Sequence, residues 1–238
     1  MTLTAALLDP VLTADPARPL VTFYDDATGE RIELSGVTTA NWAAKTANLL
    51  RDECDVENGT PVAVLLPAHW QTMAVLLGVW WCGGQVVVEP AEAEWVLCDA
   101  DRVDLALAAE PAGGVVALSL DAFGRGITGL PAGVIDYATE VRLHGDEFAP
   151  WGPVADDEPA LAGLSIAEVL AAARGRATEL ELTRNDRVIS MAEWSTTDGL
   201  VEGLLTVLVA GASLVQCRNP NMTKLAARAA AEKCTRRL

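Results

Sequence analysis

The stretch from Val62 to Pro90 has the clearest hydrophobic pattern in the chain and reads VAVLLPAHWQTMAVLLGVWWCGGQVVVEP. Its two ends are short runs that are apolar at nearly every position, which is typical of strands covered on both faces in a parallel sheet. Between them the pattern predicts an apolar helix over residues 68–82. Gly83 is expected to end this helix, because glycine readily takes the left-handed conformation found at helix C-termini. The stretch therefore predicts a β-α-β unit.

A similar pattern returns in the last third of the chain. Strands are predicted over 187–190 and 213–216, and an apolar helix is predicted over 197–210 between them. The segment LLTVLVAGASLVQ from Leu204 resembles LLGVWWCGGQVVV from Leu76. Two α-β-α-β modules predict an α/β fold with largely parallel sheets, arranged as two similar lobes or as one continuous doubly wound sheet.

The remaining elements connect these modules. An N-terminal β-hairpin is predicted over 21–34, with a polar turn at 25–30, and a helix is predicted from an N-cap at Thr39 to about Asp52. Strand-like segments are expected at 95–100, around Leu105 and at 113–120, a loop at 121–134 and a short helix at 136–144. Ser165 and Glu168 form a Ser-x-x-Glu capping box that opens a helix to about residue 180, and a last helix is predicted over 222–233.

The acidic, proline-rich segment 146–164 is the best candidate for a boundary. It divides the chain into a first α/β lobe at 1–145, which includes the hairpin, and a second, shorter lobe at 165–238.

Composition and charge disfavour several classes of partner and cellular location. The 238 residues carry a net charge of −16, which disfavours nucleic acid and anionic lipid as partners. The N-terminus lacks a basic signal-peptide region, and the most apolar segment, 73–88, is shorter than the roughly 20 residues of a membrane span. A cytoplasmic protein is expected. The five cysteines are odd in number and widely spaced, which favours reduced, buried thiols.

Several of these segments together resemble the front half of the adenylate-forming (AMP-binding, acyl-CoA synthetase-like) superfamily. They are the helix at 42–50, the strand VAVLLP at 62–67, the segment LLGVWWCGGQVVVEP, and RVIS…DGLVEGLLTVLVAGASLV at 187–215. The chain resembles a shortened, actinobacterial-type branch of this superfamily. The resemblance implies the fold of the synthetase N-terminal domain, and for active relatives it implies ATP or AMP with Mg²⁺ as cofactors.

The motifs that carry catalysis in that superfamily are missing from the matching positions. The phosphate loop T-S-G-T-T-G-x-P-K-G should precede the helix that starts at Ser165, but the chain has DDEPALAGL there. Carboxylates would repel a triphosphate, whereas backbone N–H groups and a lysine would hold it. Thr128 to Gly133 partly matches the loop but lies about thirty residues too early. An aromatic-histidine pair expected before the second apolar helix is replaced by Ser195 and Thr196, and the chain ends at Leu238 without the nucleotide motifs that follow.

No other residue pattern indicates a catalytic or metal centre. His69 and His144 lack a neighbouring nucleophile or orienting group, and no cysteine or histidine spacing fits a zinc site. The seven tryptophans are numerous for this length. Most are expected in the core, but Trp70, Trp81 and Trp194, with Ser195 and Thr196, are candidates for an apolar ligand pocket or an interface.

The sequence thus favours a non-catalytic, synthetase-like domain that acts as a binding or interaction subunit, with no cofactor. A homodimer, another protein partner, or an acyl or nucleotide small molecule are the expected partners. The alternative is an AMP-dependent acyl-adenylate or acyl-CoA synthetase whose minimal active site is completed by a partner.

Overall fold

The computed structural model describes residues 1–238, which form two sheets and the helices around them. The strands are β1 (Pro19–Asp25), β2 (Glu30–Ser35), β3 (Pro61–Leu65), β4 (Gln85–Val87), β5 (Trp95–Asp99), β6 (Gly114–Leu118), β7 (Ile135–Asp136), β8 (Pro159–Leu161), β9 (Leu164–Ser165), β10 (Arg187–Ser190), β11 (Ser213–Arg218) and β12 (Arg236–Arg237). The helices are α1 (Leu3–Ala14), α2 (Gly36–Cys54), α3 (Trp70–Cys82), α4 (Val103–Ala108), α5 (Tyr137–Glu140), α6 (Ile166–Glu179), α7 (Thr197–Leu200), α8 (Thr206–Val209) and α9 (Met222–Ala231).

Both sheets are largely parallel, as predicted. Sheet A has the strand order β12-β10-β11-β1-β2, and sheet B has the order β7-β6-β5-β3-β4-β8-β9. Only the hairpins β1–β2 and β8–β9 pair antiparallel. The two predicted β-α-β units are confirmed, since β3 pairs parallel with β4 and β10 pairs parallel with β11. Each unit lies in its own sheet, which selects two sheets over one continuous sheet.

The helices of these units end and join as their sequences require. Gly83 caps α3 with φ of 86°, in the left-handed region that glycine adopts without strain. In the second unit, α7 and α8 are joined by a π-helical turn at Val201–Leu205. The capping box at the start of α6 is confirmed, because Ser165 Oγ accepts from the Glu168 N–H and Glu168 accepts from the Ser165 N–H.

The strand pairing crosses the predicted lobe boundaries. The N-terminal hairpin, grouped by sequence with residues up to 145, pairs through β1 with β11 and so belongs to sheet A. The segment 146–164, expected as a linker, contributes β8 and the start of β9 to sheet B. Pairing between residues almost 200 positions apart leaves no local pattern, which is why the sequence grouped the hairpin with its neighbours. The division into two lobes stays a prediction.

Two local predictions were wrong. The N-cap of α2 is Ser35, whose Oγ accepts from the Thr38 N–H, and Thr39 lies inside the helix. The segment around Leu105 is helix α4 rather than a strand. Its alanines and leucines favour a helix, and its buried residues Val103 and Ala106 have the i, i+3 spacing of one helix face.

Helix α3 lies at the centre of the main hydrophobic core. All of its residues are buried except Trp81, which is half-buried. The surrounding core cluster contains residues of both sheets, including Phe23 of β1, Val62 of β3 and Leu214 of β11. A helix that is apolar on every side is buried on every side, so α3 holds the two sheets together. None of the helices is both long and apolar enough to cross a membrane.

Candidate functional site

The five residues that the sequence singled out lie at three separate places. Trp70 opens α3, where its Nε1 donates to Glu30 at 3.3 Å and its rings pack against Trp42. Trp81 is at the other end of α3, about 16 Å further along the helix axis, and packs against Phe148 with ring centroids 5.7 Å apart. The structure therefore does not bring Trp70 and Trp81 together.

The other three candidates follow the carboxyl end of β10. Trp194 is buried, with 2% of its surface exposed, whereas Ser195 and Thr196 are exposed. Thr196 is the N-cap of α7, and its Oγ1 accepts from the Gly199 N–H at 3.0 Å. The Trp194 indole lies over Gly203 in the π-helical turn, where a Cβ would come within 3.0 Å of its Nε1. Trp194 thus lines the interior, and the two hydroxyl residues face outward.

Four buried polar atoms without a hydrogen-bond partner lie at the carboxyl ends of the parallel strands. His69 Nε2 follows β3, Asp99 Oδ1 ends β5, Trp194 Nε1 follows β10 and Gln216 Oε1 belongs to β11. A buried polar group that lacks a partner costs about 1–3 kcal/mol, so each such group needs an explanation. We call these four residues the carboxyl-edge site.

A series of contacts runs from Ala192, next to the Trp194 segment, through Gln216 and Phe23 to His69. Gln216 Nε2 donates to the Ala192 carbonyl oxygen, two residues before Trp194, and Gln216 is the register partner of Phe23. The Phe23 ring packs edge-on against the His69 ring, with centroids 4.4 Å apart. The carboxyl edges of sheets A and B therefore meet at this aromatic contact.

Arg218, at the end of β11, adds a positive charge to this edge. Its guanidinium lies 3.7 Å from Asp25 of β1, and its charge acts on the pKa values of both His69 and Asp99. Burial raises the pKa of Asp99, an effect that Arg102 at 3.6 Å opposes. The edge thus combines charged groups from three strands, β1, β5 and β11, with the unpartnered polar atoms.

His69 is held as a neutral imidazole in one tautomer. Its Nδ1 accepts from the Gln71 N–H at 3.1 Å, as the N-cap of α3, so the proton is on Nε2. Nε2 lies 3.7 Å from Glu30 Oε1, which is too long for a hydrogen bond. Burial lowers the pKa of His69, and Glu30 opposes this only in part. The Nε2–H group of His69 therefore faces Glu30 and has no hydrogen-bond partner within bonding distance.

This arrangement offers recognition chemistry. It supplies two donors, on His69 and Trp194, and two acceptors, on Asp99 and Gln216. Because His69, Trp194 and Gln216 are at most 2% exposed, these atoms suit ordered water or a small polar group. No three His, Cys, Asp or Glu side chains are placed to hold a metal ion. All five cysteines are free, and burial raises the pKa of Cys54, Cys82 and Cys98 to about 12, so these thiols are protonated and weak nucleophiles.

Comparison with known proteins fits this fold. No family model matches the chain. A "TIGR03089 family protein" of Mycobacterium tuberculosis (strain ATCC 25618 / H37Rv) is 55% identical over 239 residues, which span 99% of this chain and 97% of that protein. The chain belongs to the TIGR03089 family.

Solved structures place this TIGR03089 family chain in the adenylate-forming fold. A Brucella canis acyl-CoA synthetase superposes with a TM-score of 0.82 at 16% identity, over the whole of this chain and 47% of its own. Apo MatB from Rhodopseudomonas palustris gives 0.77 at 21% identity, over 97% of this chain and 48% of its own. The anthranilate CoA ligase AuaEII, in complex with anthranoyl-AMP, gives 0.72 at 14% identity, over 90% and 44%. The chain spans about half the length of these structures, and the predicted superfamily fold is confirmed.

The residues that precede α6 in this TIGR03089 chain do not suit ATP phosphates or Mg²⁺. The hairpin β8–β9 is closed by a two-residue turn, Ala162 and Gly163, with φ of 48° and 84°. No lysine or arginine occurs between Asp146 and Ala173, and the hairpin is preceded by Asp156, Asp157 and Glu158. A tight acidic hairpin offers neither the open N–H cradle nor the cation that phosphate binding needs.

The stretch at 128–133, which partly matches the phosphate loop, is a surface loop between β6 and β7. Arg125, the nearby cation, is bound to Asp121 by two hydrogen bonds of 3.1 and 2.8 Å. Its charge is therefore already paired.

Sequence analysis identified Trp194 but missed the other three members of the carboxyl-edge site. No sequence motif singled out His69, which is the cap of α3 with only 1% of its surface exposed. His144 ends the predicted short helix, half-buried, with its Nδ1 4.0 Å from Asp52. Asp99 and Gln216 were hidden in apolar strands. The signal they share is a polar side chain at the carboxyl end of a predicted parallel strand.

Proposed function

We propose that this chain is a non-catalytic, synthetase-like binding or interaction subunit that holds a small polar ligand at the carboxyl-edge site. The observation that supports this most directly is the hairpin before α6. Its turn is two residues long, its flank is acidic, and no cation lies within the preceding segment. A chain without the means to hold a triphosphate lacks the first requirement of adenylation.

The ligand-binding part is supported by the four unpartnered polar atoms. In open α/β sheets, ligands bind in the crevice beyond the carboxyl ends of the strands. The edge where His69, Asp99, Trp194 and Gln216 lie is that position in both sheets. Because these atoms include donors and acceptors around a neutral imidazole, an acyl or nucleotide molecule with a neutral polar group is the expected ligand class.

A thermal-shift series with AMP, CoA and fatty acids tests the ligand. At 100 times its Kd a ligand adds about 2.7 kcal/mol to stability, which raises Tm by about 5–10 °C in a chain of this size. Trp194→Phe removes the indole N–H donor together with part of the ring, and it should reduce that shift strongly. Trp95→Phe is the matched control, since Trp95 is also buried but lies at the amino end of β5. Equal shifts in both variants would place the ligand elsewhere.

ATP–pyrophosphate exchange with a panel of carboxylic acids tests the non-catalytic part. The isolated chain is expected to show background exchange only. Exchange well above background would overturn the proposal and support the alternative of a minimal synthetase with ATP, AMP and Mg²⁺. Exchange that arises only when another protein is added would support the partner-completed enzyme.

A further inference from the structure

The C-terminal segment 222–238 is basic on a strongly acidic protein. It carries five cations and one carboxylate side chain, a net charge of +4. Since the whole chain has a net charge of −16, the remaining residues carry −20. Arg228 is paired with Asp26, and Arg236 lies 3.6 Å from Asp186. The side chains of Lys224, Lys233 and Arg237 form no ion pair. Their positive charge is therefore available to an acidic partner.

An apolar groove runs beside these charges. Helix α9 and strand β12 enclose about 330 Å³, and Arg236 and Arg237 lie at the rim. Met222 stands at its mouth with 58% of its surface exposed. The apolar side chains that line the groove are Ile189, Leu225, Ala226, Ala229 and Cys234. This volume is at the low end of the roughly 300–1,000 Å³ typical of ligand pockets, so it suits a single large side chain.

The same chain carries a segment of complementary chemistry. Residues 146–158, DEFAPWGPVADDE, contain five carboxylates and no cation. Trp151, within this segment, is 65% exposed, the largest exposure of any tryptophan here. Lys45 neutralises Asp146 and the N-terminal ammonium neutralises Asp156, which leaves Glu147, Asp157 and Glu158 without ion-pair partners. An exposed tryptophan among carboxylates matches an apolar groove edged by arginines.

We propose that copies of this chain associate by inserting Trp151 of one copy into the α9–β12 groove of another, while the acidic residues of 146–158 face the cations of 222–238. Trp151 belongs to the segment before sheet B's β8, whereas the groove lies on sheet A. The contact thus joins two different surfaces of the chain. Such a contact gives a reciprocal pair or a ring where the rotation between copies closes, and an open filament where it does not. Tryptophan and arginine are the residue types that most often dominate interface energies, and opposite charges around them fix the orientation.

Sedimentation velocity on the full chain at micromolar concentrations tests the association. The wild type should self-associate, and Trp151→Ala should raise the dissociation constant about 30-fold, the loss typical of a hot-spot tryptophan. Phe123→Ala is the control, because Phe123 is 85% exposed but lies outside both surfaces. Raising salt from 0.15 M to 1 M should also weaken association, because it shortens the Debye length from about 8 to 3 Å.

A complementation experiment separates this contact from any other. A Lys233→Glu/Arg237→Glu variant reverses two of the unpaired cations of 222–238 but keeps Trp151, and Trp151→Ala keeps these cations but loses the tryptophan. Each should be monomeric alone, and their mixture should form a 1:1 complex through the one remaining matched contact. A monomeric wild type, a Trp151→Ala variant that associates normally, or a mixture that stays monomeric would each overturn the proposal. The result does not depend on the ligand of the carboxyl-edge site.

Discussion

Gly78 provides the most direct test of how α3 is held in the core. It lies where α3 crosses α2, and a Cβ added there would come within 2.7 Å of both Cβ and Cγ2 of Thr46. Thr46 cannot easily move away, because its Oγ1 donates to the Trp42 carbonyl oxygen at 2.8 Å and contacts the Tyr137 hydroxyl at 2.7 Å. The buried Gly78→Ala variant must therefore push the two helices apart.

The magnitude follows from two opposing effects. Overpacking a filled core costs about 1–3 kcal/mol, and contact with a rigid Cβ places this case near the upper value. Replacing glycine by alanine within a helix stabilises the folded state by about 1 kcal/mol. The net loss of about 2 kcal/mol corresponds to a fall in Tm of about 4–8 °C for a chain of this length.

Gly175 is the matched control for this experiment. It lies in the exposed part of α6, and a Cβ there meets nothing within 4 Å. Gly175→Ala should therefore gain about 1 kcal/mol, with a rise in Tm of about 2–4 °C. Calorimetry or thermal melts of the two variants give the comparison. If Gly78→Ala melts at or above the wild-type temperature, the close packing of α2 against α3 described here is wrong.

Three further changes test other parts of the molecule. Arg228 donates to Asp26 and lowers the pKa of Asp26 from 3.8 to about 2. The stabilisation from this pair is complete above pH 3.8, the pKa in the unfolded chain, and is lost as the pH falls through about 2. Thermal melts between pH 5 and 2 should therefore show less acid destabilisation in Asp26→Asn than in the wild type. Ser165→Ala should cost about 1 kcal/mol in urea unfolding because it removes the capping box of α6, and unchanged stability would contradict that role. Thiol labelling of the native chain should reach the half-buried Cys234 first, and rapid labelling of Cys54 would refute its burial.

Much of the fold was predictable because its signals are local. The apolar runs around α3 and β11, the double glycine at Gly83, and the capping box at Ser165 each depend on a few adjacent residues. The errors were local. Thr39 and the segment near Leu105 were misassigned where local propensities compete closely. The pairing of the hairpin β1–β2 with β11 left no trace in the local sequence, because it depends on residues far away along the chain.

The carboxyl-edge site was hidden for the same reason, although its members share a pattern. His69, Asp99 and Gln216 are each a single polar position at the end of an apolar strand run, in LLPAHW, WVLCD and SLVQC. Each one alone is most simply a solubilising residue at the start of a loop. Sheet order changes that interpretation, because the carboxyl ends of parallel strands share one edge and the Phe23–His69 contact joins the edges of both sheets. Of the seven tryptophans, only Trp194 belongs to the carboxyl-edge site. Trp70 is connected to it indirectly, because its indole donates to Glu30, which lies beside His69. We therefore expect a bound ligand to change the environment of the polar atoms at this edge. Trp81, at the far end of α3, should be unaffected by the ligand.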